Sequence, residues 1–522
     1  MFPAYFGDGP WYESRVGIMH TADSRHHRRA TVRNAGTVLS LRLLLSMESM
    51  AFALIVPRVM GPESYGRYAL LIALSTWFLL ASAFGLAQLA SRQIPPLLLG
   101  RDRSALRTFL IDLVNIRLIT AALSSALFLA LTIVWLREIP AHLLWLVAGT
   151  LFLRSVSNLL YSFFLGLHEA GRWGLGPTLR AWLCLITIVP GFLLGGLTGA
   201  WIGLLVAELP CVALALTWLR PRFSSAFRRE DVPTGLRAGL HRLRPQMGFG
   251  MAYFLSGLLT AGLRPAGMAM LRGGPDAVRQ MGFYGIASDV FALLAATLAQ
   301  LILSFTPFLT TLRERGKSLE LRLWTDRLLR VGVAASVMGF AACALLAPGA
   351  APVVFGRGFS PVGRCLLPLG LLLVPLVFEQ VGYLLSLVFE RPSAALVAAA
   401  VNLAVFCAVG GPLASRGGSF GICAAVLLAG VASAAVLFTG MRRQLRFPVR
   451  PSIAILLAAT PIVPLALLPV SLPFSVVRFA LFTAWFMPVL WKLRLLRAAD
   501  WRTFRRALQR SSGAPPQAIA ET

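Results

Sequence analysis

Eleven ionisable side chains lie inside long apolar stretches of this 522-residue chain. A charge at the centre of a membrane helix costs roughly 2.5–3.5 kcal/mol on insertion scales, so such residues by default mark a cavity or a transport pathway. Six are arginines, which stay charged when partly desolvated and bind phosphate bidentately, so the predicted chemistry is anion binding. The eleven are Arg42, Glu48, Asp112, Arg117, Arg154, Arg180, Glu208, Arg264, Asp289, Glu379 and Arg478.

Four of the arginines are candidates for a cationic, substrate-binding cavity. Arg154 and Arg180 are the strongest, because both are surrounded by apolar sequence. Arg42 joins them since Glu48, six residues later, does not share its helical face at i, i+4 spacing and offers no local ion pair. Arg264 is the fourth, although Pro265 predicts a helix break that would bring it towards the outer interface.

The remaining charges receive other interpretations. The carboxylates Glu48, Asp289 and Glu379 are candidates for balancing the arginines or for binding a coupling H⁺ or Na⁺, and the sequence does not choose between these roles. Arg117 lies near the predicted cytoplasmic end of its span, where an arginine can snorkel to the interface. Arg478 is interpreted as an anchor at the end of a helix.

The sequence offers no catalytic, metal or cofactor site. All six histidines fall in loops or at the ends of apolar stretches, no HExxH occurs, and the six cysteines form no CxxC pair. Arg315-Gly316-Lys317-Ser318 is similar to the end of a phosphate-binding loop, but Thr311 stands where that motif requires glycine. We therefore expect no catalytic residues, no metal and no cofactor, and we do not expect an enzyme.

Composition places these residues in a polytopic membrane protein. The chain is 57% hydrophobic and 13% charged, against about 25% charged residues in an average soluble domain. A span needs ~20 mostly apolar residues, and fourteen such stretches predict an all-α fold. They are 36–56, 68–90, 110–135, 141–165, 174–195, 199–219, 247–271, 282–309, 328–347, 364–388, 393–412, 418–440, 452–472 and 474–491.

The distribution of positive charge predicts the topology. With the N-terminus inside, 35 of the 49 Lys and Arg residues fall in inside segments, 8 in outside loops and 6 within spans. Lys and Arg favour cytoplasmic loops, so both termini are predicted to be cytoplasmic, in the cytoplasmic (inner) membrane. No apolar run with a cleavage site occurs in the basic residues 1–35, so we expect no cleaved signal peptide.

The longest polar stretch divides the spans into two lobes. The predicted organisation is a basic N-terminal segment (1–35), an N-lobe of six spans (36–219), a basic cytoplasmic linker (220–246), a C-lobe of six spans (247–440), two further spans (441–491) and a basic cytoplasmic tail (492–522). A weak internal repeat supports it. Residues 61–69 and 274–287 both pass from a Gly-Pro turn to a Gly-x-Tyr at the start of a helix, and transporters often contain such repeats.

Several short glycine-based motifs resemble those of Wzx-type polysaccharide exporters. The similar stretches are 59–70 with 83–89, 282–284, 354–361 and 419–425, and the resemblance extends over about residues 36–445. Phe359 departs from the family, which often has tyrosine at that turn, and the first 35 residues match nothing. These motifs are turn and packing elements, so they transfer no substrate-binding residue to this chain.

The resemblance implies the multidrug/oligosaccharidyl-lipid/polysaccharide exporter (MATE-like) fold, with two six-helix lobes around a central cavity and two added helices. It also implies a flippase that moves a polyprenyl-diphosphate-linked oligosaccharide outwards by rocker-switch alternating access, for the biosynthesis of cell-surface polysaccharide. The implied partners are that lipid-linked oligosaccharide, membrane lipids, and glycosyltransferases and a polymerase of the same pathway, with no nucleic acid.

Two alternatives stay open at this point. A cation-coupled multidrug exporter of the same superfold would need an acidic cavity, and the excess of arginine argues against it. A membrane-embedded glycan polymerase or ligase would expose a large outer loop with catalytic residues, whereas all predicted outside loops are short.

The charge count makes the topology testable with reporter fusions. We expect alkaline phosphatase to be active when fused after Glu138 or Arg416 in predicted outside loops, and green fluorescent protein to fluoresce at the C-terminus, because the positive-inside rule retains basic segments in the cytoplasm. An active phosphatase fused at residue 522 would contradict the predicted orientation.

Overall fold

The computed structural model describes residues 23–86, 89–90, 94, 97, 103–167, 169–224, 236–274, 276–442, 450–466 and 471–492. Within these ranges the backbone forms helices joined by short turns and contains no β-strand. Ten helices are long and apolar enough to cross a membrane, which confirms the all-α, multi-pass class. Most of the predicted N-terminal segment, linker centre and tail (1–22, 225–235 and 493–522) lies outside the described residues.

The helices are labelled in chain order, and the labels count helices rather than membrane crossings. They are α1 (Asp23–Ala83), α2 (Arg103–Trp135), α3 (Ala141–Gly166), α4 (Ala170–Ser224), α5 (Leu236–Leu271), α6 (Ala277–Leu303), α7 (Thr306–Glu314), α8 (Ser318–Ala341), α9 (Ala347–Val354), α10 (Val362–Val388), α11 (Pro392–Arg442), α12 (Arg450–Ala458), α13 (Ile462–Ala466) and α14 (Leu472–Lys492). A π-helical turn, Ala342–Leu346, joins α8 to α9.

Helix α1 is a hairpin rather than one long rod. Its backbone leaves the helical region at Gly61, where φ is 73°, a left-handed conformation that glycine adopts without a steric penalty. The rings of Phe52 and Tyr68 lie 6.4 Å apart, although sixteen residues of straight helix would separate them by about 24 Å. The chain therefore reverses at the predicted Gly-Pro turn.

Helices α4 and α11 reverse in the same way. The break in α4 falls at Gly195 and Gly196, and the Thr187 hydroxyl donates a 2.8 Å hydrogen bond across the hairpin to the carbonyl of Gly203. The break in α11 falls at Gly418. Each hairpin therefore holds two antiparallel arms, here called the first and second arm.

The ten long helices thus comprise seven single helices and three hairpins. The hairpins cover the predicted pairs of spans on either side of residues 61, 196 and 418. Over the predicted span 452–472 the described residues form two short helices, α12 and α13, with Pro461 between them. Proline cannot continue the helical hydrogen-bond ladder. The total of fourteen crossings stays a prediction.

Two groups of helices pack around a shared core. Helices α1 to α4 contact one another, as do α5, α6, α8, α10 and α11. The groups meet mainly where α1 packs against α6, with further contacts of α5 to α1 and α2. Helix α14 packs on the π-helical turn and on α9, so it extends the second group.

Two glycines bring α1 and α6 into backbone contact. A β-carbon at Gly66 would collide with the carbonyl of Val278, and one at Gly282 would collide with the carbonyl of Pro62. The same offset of 216 residues relates Pro62 to Val278 and Gly66 to Gly282. This reciprocity is what a twofold axis between repeats produces, so the two segments that resemble each other in sequence also meet in space.

An aromatic cluster packs beside this contact. The ring of Phe359 lies edge-on to Tyr65 at 6.4 Å and to Phe283 at 6.2 Å between centroids. Phe359 is buried, so the position that departs from the Wzx-type motif contributes to the core between the two helix groups.

The glycine contact predicts a stability difference between matched substitutions. We expect Gly66→Ala and Gly282→Ala each to destabilise the protein by about 1–3 kcal/mol, the usual cost of overpacking, because a backbone must move to admit the methyl group. The control is Gly257→Ala on α5, where no atom lies within 4 Å of the new β-carbon.

Apparent melting temperatures in detergent would measure these differences. Alanine is the better helix former by about 1 kcal/mol, so the control should be unchanged or more stable. An equal loss in all three variants would show that the α1–α6 approach is not tight.

Candidate functional site

Arg154 and Arg180 converge on one buried carboxylate. Oε1 of Glu208 lies 3.7 Å from Nε of Arg154 and 3.8 Å from Nε of Arg180. The Glu208 side chain is 1% exposed, whereas Arg154 is 34% exposed and Arg180 14%. We call these three residues the N-terminal charge cluster. It is accessible from the Arg154 side and closed behind Glu208.

The cluster is assembled by a helix face and a hairpin. Arg154 lies on α3 one turn before Asn158, whose Oδ1 accepts a 2.7 Å hydrogen bond from Arg180 on the first arm of α4. Glu208 lies on the second arm of α4. The antiparallel register that bonds Thr187 to Gly203 brings Glu208 to the depth of Arg180, because both are at similar distances from the reversal at Gly195 and Gly196.

Two polar atoms in this cluster are buried without a hydrogen bond. They are Nε of Arg154 and Oε2 of Glu208. Buried polar atoms are nearly always hydrogen-bonded, so these two have unused capacity at the point where the charges meet. Glu48 on α1 is also buried, interacts electrostatically with both arginines, and accepts a 3.4 Å hydrogen bond from Ser49.

Arg264 and Asp289 form a second, separate ion pair. Nη1 of Arg264 on α5 lies 2.6 Å from Oδ1 of Asp289 on α6. The hydroxyl of Tyr65, on the second arm of α1, donates a 2.7 Å hydrogen bond to Oδ2 of the same carboxylate. This network joins the two helix groups beside the glycine contact, and it gives the Arg264 guanidinium a carboxylate partner.

The structure brings together only part of the predicted set. Arg154, Arg180 and Glu48 lie in one region, while Arg264 and Asp289 pair with each other elsewhere. Glu379 on α10 accepts a 2.8 Å hydrogen bond from Ser433 on α11 and belongs to neither cluster. The Arg42 side chain lies outside the described part of the structure.

Two other arginines of the apolar stretches bind backbone carbonyls. Arg117 is buried and donates to the carbonyls of Ser155 and Ser82 at 2.9 and 2.6 Å, which ties α2 to α3 and α1. Arg478 on α14 is also buried, and it donates to the carbonyl of Leu345 in the π-helical turn at 3.1 Å. Arg478 therefore joins α14 to the body of the protein, rather than marking the exposed end of a helix.

Sequence reasoning identified Glu208 as a charge in an apolar stretch but did not include it in the site. The missing information was its position opposite Arg180 across the α4 hairpin and beside Arg154 on α3. Tyr65 and Asn158 carried no signal that separates them from ordinary polar residues in helices. The predicted excess of arginine is correspondingly reduced, because Glu208 and Glu48 both act on Arg154 and Arg180.

A small cavity borders Arg154 within the helix bundle. Its volume is about 10 Å³, and three of its lining residues carry hydroxyl groups; the lining residues are Ile72, Ser75, Thr76, Leu79, Thr150, Leu151, Arg154, Trp201 and Leu204. A larger, mainly apolar cavity of about 570 Å³ lies between α2, α3 and α4 and contains none of the predicted site residues. Among the described residues, no group of three or more His, Cys, Asp or Glu side chains is placed to hold a metal ion.

The helix arrangement is similar to that of known transporters. A multidrug resistance MATE family transporter of the MOP superfamily, in an inward-facing conformation, superposes with a TM-score of 0.62 at 16% identity, covering 79% of this chain and 98% of its own. The lipid II flippase MurJ in an inward closed conformation gives 0.60 at 13% identity, covering 88% and 99%. A variant of the Vibrio cholerae MATE transporter VcmN gives 0.55 at 16%, covering 80% and 98%.

This chain has the MATE/MurJ-like fold. At identities of 13–16% the likeness concerns the fold alone. No sequence-family profile matches the chain, and no curated protein sequence is significantly similar to it. The MATE/MurJ-like fold places both charge clusters inside a helix bundle whose architecture is shared with these transporters.

The Arg264–Asp289–Tyr65 network predicts a graded loss of stability. Asp289→Asn should destabilise by about 1–3 kcal/mol, since it leaves a partly buried guanidinium without a counter-charge. Tyr65→Phe should lose about 0.5–1.5 kcal/mol for one hydrogen bond. The control is Glu63→Gln at the exposed Glu63–Arg279 pair, where less than about 1 kcal/mol is expected.

Thermal unfolding of the four proteins in one detergent tests this order. A loss of stability in Glu63→Gln as large as in Asp289→Asn would show that the network stabilises the junction of the two helix groups no more than an exposed ion pair does.

Proposed function

We propose that this protein is a flippase that moves a polyprenyl-diphosphate-linked oligosaccharide across the cytoplasmic membrane by alternating access. The observation that carries the proposal is the convergence of Arg154 and Arg180 inside an apolar helix bundle, with Arg154 one-third exposed. In this role the two guanidinium groups hold the diphosphate while the polyprenyl chain stays in lipid.

The chemistry of the arginines favours a phosphate-containing ligand. Guanidinium presents paired N–H donors that match two phosphate oxygens, and it keeps its charge in a partly dehydrated cavity. The cavity beside Arg154 has a volume of only about 10 Å³, so in our proposal the diphosphate approaches from the exposed side of Arg154.

The fold supports a moving carrier. The likeness to the lipid II flippase MurJ covers 88% of this chain at a TM-score of 0.60, and MurJ by its name moves a lipid-linked molecule. In our proposal the two helix groups rock about the α1–α6 contact, the basic termini are cytoplasmic, and glycosyltransferases and a polymerase of the same pathway supply and consume the substrate.

A second candidate is a cation-coupled multidrug exporter. It gains support from the pairing of Arg154 and Arg180 with Glu208 and of Arg264 with Asp289, because these carboxylates reduce the positive charge that argued against a cationic substrate. The likeness to MATE transporters is equally compatible with this function. Increased drug susceptibility of a deletion strain with intact surface polysaccharide would favour it.

The proposal predicts that Arg154→Ala and Arg180→Ala each lower the export of cell-surface polysaccharide at least about tenfold. Each substitution removes hydrogen bonds between a charged guanidinium group and the diphosphate. Such bonds contribute roughly 1.5–3 kcal/mol, and about 1.4 kcal/mol corresponds to a tenfold change in rate. Export is measured in cells where membrane fractions contain equal amounts of each variant.

The control is Arg279→Ala, which breaks an exposed ion pair away from the cluster and should leave export unchanged. Full export by both cluster variants would refute a role for these arginines. Flipping of a fluorescent lipid-linked oligosaccharide in proteoliposomes would separate transport from defects elsewhere in the pathway.

A further inference from the structure

Glu208 contacts the same two guanidinium groups that the proposed function assigns to a diphosphate. Its Oε1 lies within 4 Å of both guanidinium groups, at 3.7 Å from Nε of Arg154 and 3.8 Å from Nε of Arg180. Those separations exceed the 2.7–2.9 Å of a strong N⁺–H···O⁻ hydrogen bond. The carboxylate is therefore close enough to balance both charges without using the full hydrogen-bonding capacity of either guanidinium.

We propose that Glu208 is an internal competitor for the anion site, which an anionic ligand must displace from Arg154 and Arg180. This inference rests on the function proposed above. It makes Glu208 a specificity-determining residue, because a diphosphate carries more negative charge than one carboxylate and competes well, whereas a singly charged anion or a neutral lipid does not.

The burial of Glu208 makes its displacement costly. The side chain is 1% exposed, and its Oε2 is buried with no hydrogen-bond partner. A buried charge without partners is strongly unfavourable. Only a ligand that compensates this cost through its own contacts with both guanidinium groups should therefore displace the carboxylate.

Other groups around Glu208 share this electrostatic environment. They include Arg154 and Tyr161 from α3, Arg180 and Cys184 from the first arm of α4, and Cys211 on the arm of Glu208 itself. Glu48 on α1 interacts with the two arginines. Glu208 differs from Glu48 in having its oxygen within 4 Å of both guanidinium groups and its second oxygen unbonded.

Calorimetry with inorganic pyrophosphate as the probe tests the inference on the full-length protein in detergent. Nitrate, a singly charged anion, is titrated in parallel over the same concentrations. The wild-type protein should bind pyrophosphate and not nitrate, because specificity is the difference between the two affinities and the carboxylate opposes both ligands.

Glu208→Gln should bind pyrophosphate at least about tenfold more tightly and should also bind nitrate, since it has no carboxylate to displace. Glu208→Asp, whose shorter side chain holds its carboxylate farther from the arginines, should bind pyrophosphate with intermediate affinity, and a purely structural role would not require this order. Glu63→Gln, which removes an exposed glutamate from an arginine ion pair, is the matched control and should behave as wild type.

The outcomes separate this inference from the proposed function. Equal pyrophosphate affinity and no nitrate binding in wild type and Glu208→Gln, with pyrophosphate binding lost in an Arg154→Gln/Arg180→Gln double variant, would overturn the competitor role and leave the flippase proposal standing. Pyrophosphate binding that persists in the double variant would place the anion elsewhere on this basic chain and overturn both. If Glu208→Gln does not fold, the affinity of Glu208→Asp decides, and an affinity equal to that of wild type overturns the inference.

Discussion

A guanidinium group keeps its charge in almost any surroundings, so an arginine within an apolar helix must find partners inside the protein. This constraint organises the described structure. Arg154 and Arg180 share Glu208, Arg264 pairs with Asp289, and Arg117 and Arg478 bind backbone carbonyls. Each of these interactions crosses between helices or helix arms, so the placement of the arginines determines which elements must be neighbours.

The junction between the two helix groups combines packing and charge. Gly66 and Gly282 allow α1 and α6 to approach at backbone distance, and the reciprocal contacts follow the internal repeat. The Arg264–Asp289–Tyr65 network lies at the same junction. A backbone contact and a hydrogen-bonded ion pair are each either formed or separated. Interfaces built from such elements switch between discrete arrangements rather than deforming continuously.

The charge of the chain has two physical roles that its net value of +28 does not distinguish. Most basic residues lie in segments between the apolar stretches, where Lys and Arg influence the orientation of a chain in the membrane. Within the helices, Arg154, Arg180 and Arg264 lie beside carboxylates. In the proposal made above, the N-terminal charge cluster binds an anion by exchanging one negative group for another, so selectivity depends on the carboxylate as much as on the arginines.

The sequence by itself determined the membrane class, the approximate positions of the long apolar helices and the turn at Gly61, because apolar length and a Gly-Pro turn are local properties. It also selected Arg154 and Arg180, since a charge in apolar sequence is visible without a fold. Over the predicted span 452–472 the structure describes two short helices on either side of Pro461, because proline cannot continue the helical hydrogen-bond ladder.

Only the tertiary structure decided which charges meet. The register of the α4 hairpin places Glu208 opposite Arg180, and the approach of α5 to α6 gives Arg264 its carboxylate. These pairings join residues 25 to 54 positions apart in sequence. The physical reason is that an ion pair forms only when two side chains lie within a few ångströms of each other. Hydrophobic length and periodicity determine the depth of a residue in the membrane, but they do not determine which neighbour it faces.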